Sequence, residues 1–519
     1  MNQKTVFIAF VISLGGFLFG FDAGIISGVV SYVVPEYNLN DVQTGWLVSS
    51  PSFTAMIAML ISGRLSDQLG RKRILIIVAF LYALSAILSA LAISYTMLYV
   101  ARMIGGVAFG AALILAPMYI AEISTAEHRG KLVSIQQLNI VLGFFAAFLS
   151  NYFFNSYNQS DATFLTDENT WRWMLGVEFF PAIAYFLLLF FVPNSPRWLY
   201  LNNFKEKAKS VLEKIHGSTR AALEMATIEK STIEEQESKQ VSLMSLFQPT
   251  IRFVLVLGLF LGIIQQITGI NAIYFYATSI FKQTGIGDNA AFLSGVILSC
   301  TTVVFTLIAM VLIDKMGRRP LLIVGLAGIA ISLSLCAYEF NQATYQLDGN
   351  KMVGLNAELV EKLQPIVDKS FDSDVTFKSI VKERIGNQAF FKNEGTIIEA
   401  SIQINSLLVL IGIIGFIACF AFSLGPVMWV MLSELYPNKY RGLAIGTIGF
   451  FNSFSSWFIQ QIFPWELTNL GASLTFLIYA GIAALGIFVF LAYLPETKGQ
   501  SLEEIEESLI SKWHVNYYK

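Results

Sequence analysis

Polar residues in this chain are gathered into short runs that separate long apolar stretches. Six stretches, near 6–33, 42–65, 74–93, 97–121, 131–154 and 172–192, precede a polar segment. Six more, near 251–283, 288–313, 321–340, 404–433, 442–464 and 470–494, follow it. Each approaches or exceeds the roughly 20 apolar residues that a helix needs to cross a bilayer. Lipid offers no partner to backbone N–H and C=O groups, so a run of this length is expected to satisfy them as a helix. The pattern predicts an all-α membrane protein with twelve transmembrane helices, six plus six. The segment 200–250 contains KEKAKSVLEKIHG and IEKSTIEEQESK, and reads as short amphipathic helices linking two halves. The segment 341–400, between the ninth and tenth helices, mixes charges with scattered apolar residues and is expected to be partly helical, with no role assigned. The chain then divides into an N-terminal half 1–195, a linker 196–250, a C-terminal half 251–495 and a tail 496–519.

Composition supports the bilayer as solvent. The chain has 519 residues, 55% hydrophobic and 13% charged, where soluble chains carry about 25% charged residues. A net charge of −2 gives no basic face for nucleic acid. Cys300, Cys336 and Cys419 are dispersed and odd in number, so they suggest neither a disulfide framework nor a metal site. The start, Met1 to Thr5, runs into apolar sequence without a small-residue cleavage site, and reads as a retained first helix. Basic clusters fall in alternate loops: Arg71-Lys72-Arg73, Arg129 with Lys131, Lys205 to Lys214, Arg318-Arg319, Lys439 to Arg441, and Lys498. Cytoplasmic loops carry the Lys/Arg excess, so both termini are expected inside and 341–400 outside an inner or plasma membrane. The three histidines, His128, His216 and His514, lie outside the apolar runs. With no nucleophile–base constellation and no phosphate-binding glycine loop, neither an enzyme nor a cofactor is expected.

The chain also repeats itself. Asp67-x-x-Gly70-Arg71 follows the second helix and Asp314-x-x-Gly317-Arg318 the eighth. Glu122 with Arg129-Gly130 follows the fourth, and Glu434 with Arg441-Gly442 the tenth, at the same internal spacing. Pro193-x-Ser195 follows the sixth and Pro495-x-Thr497 the twelfth. Parallel repeats of this kind predict two pseudo-symmetric six-helix halves with a substrate site between them at mid-membrane.

Seven segments in order, GRLSDQLGRKR, PMYIAEISTAEHRG, PNSPRWL, QQITGINAIYFYA, DKMGRRP, GPVMWVMLSELYPNKYRG and LPETKG, resemble the sugar porter family of the major facilitator superfamily. Within it they are most similar to bacterial xylose–proton symporters and animal glucose facilitators. The resemblance implies a monosaccharide substrate, xylose- or glucose-like, moved by a monomer in membrane lipid through alternating access. It implies sugar contacts at Phe19, Gln137, Gln265, Gln266, Asn271, Phe275, Thr302, Gly425, Trp429 and Asn452. It also implies a cytoplasmic gate network of Arg64, Asp67, Arg71, Glu122, Arg129, Asp314, Arg318, Glu434 and Arg441, with ion pairs between the halves. Physical chemistry supports the carboxamides independently, because each carries donors and acceptors to match sugar hydroxyls. Gln265 and Gln266 point about 100° apart on a helix and Asn271 about 120–140° from them. One straight helix cannot turn all three inward, and Gly269 offers a break between them. Three positions depart from the family pattern: Thr302 where an Asn is frequent, Ser453 where a Trp is frequent, and Asn194 in place of the Glu of PESPR.

Asp22 lies about sixteen residues into the first helix, where a charged carboxylate costs roughly 2.5–3.5 kcal/mol on insertion scales. Desolvation favours the neutral acid and a nearby cation the carboxylate. Arg102 is the basic residue at comparable depth in the same half, and Glu178 is a further intramembrane carboxylate. In the family's proton symporters an Asp and an Arg at such places form the coupling pair. The expectation is therefore proton-coupled sugar import. A passive sugar facilitator and a membrane sugar sensor are the alternatives, and the short stretch after Pro495 argues against a sensor with a long signalling tail.

Overall fold

The computed structural model describes residues 3–125, 128–159, 164–238, 243–352, 355–436 and 438–498. Twelve helices in it are long and apolar enough to cross a membrane. Spans 1 to 6 are Gln3–Tyr37, Asp41–Leu69, Arg71–Ala90, Tyr95–Ile123, Gly130–Asn158 and Asp167–Leu189. Spans 7 to 12 are Ile251–Phe275, Asp288–Ile313, Arg318–Gln342, Ser406–Leu435, Tyr440–Asn469 and Gly471–Tyr493. The expected six-plus-six pattern is present.

Three spans are interrupted where a polar side chain or a backbone turn is needed. Span 6 breaks between Gly176 and Phe179, next to Glu178. Span 10 breaks at Ser423. The seventh apolar run divides into Pro249–Ile267, Ile270–Phe275 and Ala277–Lys282. Its first break is at Gly269, φ +88, a left-handed conformation that costs L side chains energy and glycine little.

By contacts the chain forms two compact units. The first comprises Met1–Gly24, Ser50–Ala147 and Arg172–Ser245; the second comprises Ile25–Ser49, Phe148–Trp171 and Leu246–Lys519. Within the first unit, spans 1 and 5 approach backbone to backbone. A Cβ added to Gly20 would lie 2.0 Å from the Ile140 carbonyl oxygen, and one added to Gly143 would lie 2.1 Å from that of Phe17. Helices associate in lipid through such small-residue contacts, because apolar burial gains little there. Asn139 Nδ2 donates to Ser13 Oγ at 2.5 Å in the same seam. Gly143→Ala is expected to force the two backbones apart at a cost of about 1–3 kcal/mol. The check is the melting temperature in detergent, which should fall by several degrees. Gly481→Ala, where nothing lies within 4 Å of the added Cβ, should leave it unchanged.

In the second unit, the ends of spans 1, 2 and 5 remote from the basic loops are tied to spans 8 and 11 and to the helix Ala277–Lys282. Ser27 Oγ accepts from Thr278 N at 3.0 Å. The Tyr32 hydroxyl donates to Asn155 Oδ1 at 2.8 Å, and Asn155 Nδ2 donates to Asn289 Oδ1 at 2.8 Å. Ser49 donates to Gln461 Oε1 at 2.8 Å, and Thr468 to Asp41 at 3.0 Å.

The linker is helical as expected, in Pro196–Leu201, Lys205–His216 and Ser218–Ser238. Lys205–His216 buries Ala208, Leu212 and Ile215 on one face, and His216 Nε2 donates to the Ile123 carbonyl at 2.9 Å. The segment between spans 9 and 10 is more than the partly helical loop expected. It forms a small α+β subdomain with strands β1 (Thr344–Gln346), β2 (Ser370–Phe371) and β3 (Ile402–Gln403) in an antiparallel sheet of order β2-β1-β3. Helices Ala357–Leu363, Asp374–Ile385 and Asn387–Glu399 cover it around Leu347, Leu363, Phe377, Val381 and Phe390. Strands of two or three residues carry too little alternation to be read from sequence.

Candidate functional site

The carboxamides singled out on the seventh run converge on span 11, through the breaks that the chain makes around them. Gln265 and Gln266 end the helix Pro249–Ile267. Gly269 then redirects the chain, so that Asn271, in Ile270–Phe275, returns to Gln266. Asn271 Nδ2 donates to Gln266 Oε1 at 2.8 Å and to Ser456 Oγ at 2.6 Å. Gln266 Nε2 donates to Gln265 Oε1 at 3.1 Å and to Asn452 Oδ1 at 3.3 Å. Asn452 Nδ2 donates to the same Gln265 oxygen and to the Gly262 carbonyl, both at 2.7 Å. Gln265 Nε2 donates to the carbonyl of Leu424 at 3.0 Å, with that of Gly425 at 3.4 Å, at the break in span 10.

Two residues not anticipated complete the cluster. Ser456 Oγ accepts from both Asn271 and Gln460 Nε2 (2.8 Å), so its own proton is available to donate. Ser456 and Gln460 follow Asn452 at i+4 and i+8, a spacing that marks one helical face. That spacing was the signal available in the sequence. The network is thus held in one geometry by partners on three spans, while keeping hydroxyl and amide capacity for a polyhydroxylated ligand.

Other expected contacts are placed as follows. Trp429 is 46% exposed on span 10, with an indole free to stack on a ligand. Phe275 is buried. Thr302 is taken up internally: its hydroxyl donates to the Leu298 carbonyl at 3.0 Å and pairs with the Tyr274 hydroxyl. In the first unit, Gln137 is exposed on span 5. Phe19 is half-buried, 4.9 Å between ring centroids from Phe109.

The first unit also holds the acid–base cluster. Arg102 Nη1 and Nη2 donate to Asp22 Oδ1 and Oδ2 at 3.1 and 3.4 Å, a two-pronged pair with Arg102 2% and Asp22 4% exposed. Arg102 Nε is buried with no partner. Glu178 is buried at the break in span 6, within electrostatic reach of both. Two carboxylates and one guanidinium can bind one proton and still leave a single anion to pair with Arg102. A buried ion pair is costly to break by removing one member, because the survivor is left uncompensated.

The repeated loop motifs build the same arrangement twice, each copy inside its own unit. Arg71 pairs with Asp67 at 2.7 Å and with Glu122 at 3.1 Å, and the Ser195 hydroxyl donates to Glu122. In the second copy Arg318 donates to Glu434 at 2.9 and 3.1 Å, and the Thr497 hydroxyl donates to Glu434 at 2.5 Å. Glu496 accepts from the backbone amides of Arg318 and Arg319 at 3.0 and 3.1 Å. The pairs expected between halves are, in these contacts, pairs within a half. Ser195 and Thr497 supply the third member, which the Pro-x-Ser and Pro-x-Thr repeat had marked without a role. Arg441 Nε donates to the Tyr436 carbonyl at 3.2 Å, and Arg64 is exposed. The side chains of Arg129 and Asp314, and the tail beyond Lys498, lie outside the described residues.

The family model described as "Sugar (and other) transporter" matches residues 8–355 and 385–509. The gap falls within the subdomain between spans 9 and 10. The arabinose-proton symporter of Bacillus subtilis is 34% identical over 504 residues, covering 97% of this chain and 94% of its own. The glucose transporter GlcP of Staphylococcus epidermidis is 30% identical over 508 residues, covering 98% and 97%. Among solved structures, the inward-open xylose transporter XylE of E. coli superposes with a TM-score of 0.73 at 28% identity, covering 96% of this chain and 98% of that one.

Proposed function

Because the chain belongs to the sugar porter family of the major facilitator superfamily, membrane transporters rather than enzymes, we propose that it imports a monosaccharide together with a proton by alternating access. The observation that carries the proton half of this reading is the buried Asp22–Arg102 pair, with buried Glu178 within electrostatic reach of both. The cluster of Gln265, Gln266, Asn271 and Asn452, extended by Ser456, carries the sugar half. Phe19, Gln137 and Trp429 complete the proposed contacts, with Trp429 stacking on the C–H face of the ring. Thr302, already bonded to Tyr274 and Leu298, serves as wall rather than as a direct sugar ligand. The substrate class is a pentose or hexose. Arabinose, glucose and xylose are named for the similar proteins.

In the proposed cycle a proton from outside neutralises Asp22 and releases the Arg102 guanidinium, whose unpartnered Nε is then free to turn toward Glu178. Sugar binds, access switches, and the higher internal pH withdraws the proton. The basic loops, with both termini, face the cytoplasm of a plasma or inner membrane. The two sequence halves, 1–195 and 251–495, act as the moving bodies of a functional monomer. Passive facilitation is the second reading; it leaves the buried carboxylates without a function.

Uptake by proteoliposomes of labelled L-arabinose, D-xylose and D-glucose, with and without an inwardly directed proton gradient, tests the proposal. At least one sugar should accumulate above its external concentration only with the gradient. Equal uptake in both conditions defeats symport, and no uptake of any of the three defeats the substrate class.

The loop ion pairs are proposed to latch one access state, with Arg129 and Asp314 as further members. Because Arg318 and Glu434 lie in the same half, Glu434→Gln shifts the two access states only as far as the pair is stronger in one of them; a difference of about 1 kcal/mol is about fivefold in their populations. A single cysteine placed in the basic-loop end of a cysteine-free protein should alkylate about fivefold faster. Thr497→Val, which keeps the ion pair, should change the rate less than twofold. Identical rates in Glu434→Gln and the parent would remove the latch.

A further inference from the structure

Asn271 stands on a piece of helix that the chain itself does not hold. Ile270–Phe275 is six residues long, between the left-handed Gly269 and a second break at Tyr276, φ −114 and ψ 14. A helix this short has no stability of its own, so whatever fixes its ends fixes the orientation of Asn271 against Gln266 and Ser456. One aromatic group from spans 11 and 12, together with Tyr276 itself, covers both breaks. The Tyr479 ring lies so close over Gly269 that an added Cβ would sit 2.5 Å from the ring carbon Cδ2. Phe463 stacks on Tyr479, centroids 6.4 Å apart and planes 17° from parallel. It also lies 5.2 Å from the Tyr276 ring. The Tyr276 hydroxyl donates to the Gln460 carbonyl at 3.1 Å. All three rings are buried, Tyr479 being 1% exposed.

The remaining freedom of Tyr479 is the swing of its ring, and one bond removes it. The Tyr479 hydroxyl donates to Glu466 Oε2 at 2.5 Å. Glu466 lies in the last turn of span 11, and no ion pair to it occurs among the described residues. We infer that Glu466 is a positioning residue of the sugar site: by accepting from Tyr479 it locks the ring over Gly269, and so sets the angle at which Asn271 and Gln266 meet a sugar. The role belongs to the acceptor oxygen and not to the charge, so a carboxamide can replace it. The inference rests on the sugar site proposed above.

The test uses the full-length protein and the variants Glu466→Ala, Glu466→Gln and Tyr479→Phe, with two readouts. Deuterium exchange of amides 268–276 needs no sugar. Counterflow of labelled L-arabinose, D-xylose and D-glucose reports KM and maximal rate. Glu466→Ala and Tyr479→Phe should exchange at least threefold faster over 268–276, and raise KM five- to tenfold with the maximal rate within twofold. Glu466→Gln should return both quantities to within twofold of the parent. Parental exchange and KM in Glu466→Ala overturn the inference. So does a Glu466→Gln as impaired as Glu466→Ala, or a fall in maximal rate at constant KM. If the parent moves none of the three sugars, the sugar site falls, while the exchange arm still decides whether Glu466 holds the break.

Discussion

The Asp22→Asn protein, reconstituted in liposomes, is expected to equilibrate sugar without concentrating it. One unit of pH gradient supplies about 1.4 kcal/mol, or tenfold, per proton. A potential of 100 mV adds about 2.3 kcal/mol per charge. The parent should therefore reach accumulation ratios well above ten when both are imposed, and the variant a ratio near one. Counterflow, which needs binding and access switching but no net proton movement, should survive within a few-fold. Asparagine keeps the shape and one acceptor oxygen to which the Arg102 guanidinium can still donate, without the titratable charge. That choice separates loss of titration from loss of fold. Leaving Arg102 opposite an apolar residue would confound the two, because an uncompensated buried charge costs about 3–5 kcal/mol. Accumulation in Asp22→Asn equal to the parent's would remove Asp22 from coupling.

The second large effect is expected at Gln266. Its amide donates to Gln265 and Asn452, and its oxygen accepts from Asn271, so it joins the two sides of the break at Gly269. Gln266→Ala removes a proposed sugar contact and also takes from Asn271 one of its acceptors. Each buried polar group left unsatisfied costs about 1–3 kcal/mol. A rise of roughly tenfold to a hundredfold in KM for counterflow follows, with maximal rate changed less, since the loss falls on binding. A KM within twofold of the parent would place the sugar elsewhere.

How much of this was legible in the sequence varies from residue to residue for physical reasons. The twelve spans were legible because lipid imposes length and apolarity on every one of them. The break at Gly269 was legible because Gln265, Gln266 and Asn271 cannot share a face of one straight helix. Asp22 and Arg102 stood out as costly charges, and the structure brings them together. Ser456 and Gln460 did not stand out, since small polar residues in a span are ordinary helix glue until a partner is known. Thr302 was read as a ligand from its position. In the structure its hydroxyl pairs with that of Tyr274, on span 7 and one helical turn beyond Asn271, a contact that position alone does not announce. Tyr479 and Glu466 were invisible in the same way, because their significance depends on a ring meeting a glycine some two hundred residues away. The ion pairs were identified by residue and repeat spacing, yet not by partner. Spacing alone does not say whether Arg71 and Arg318 reach across the molecule or fold back onto Glu122 and Glu434, and in these contacts they fold back. The subdomain between spans 9 and 10 was illegible for want of periodicity in its two- and three-residue strands.

The central claim is that sugar and proton enter together, the proton by way of Asp22. It is tested most directly by a pH electrode in a lightly buffered suspension of de-energised proteoliposomes, as a transported sugar is added. The account predicts an immediate alkalinisation of the medium in the parent, matched in amount to the labelled sugar taken up, and none in Asp22→Asn. Labelled sugar entering the parent liposomes with no change in external pH would contradict it.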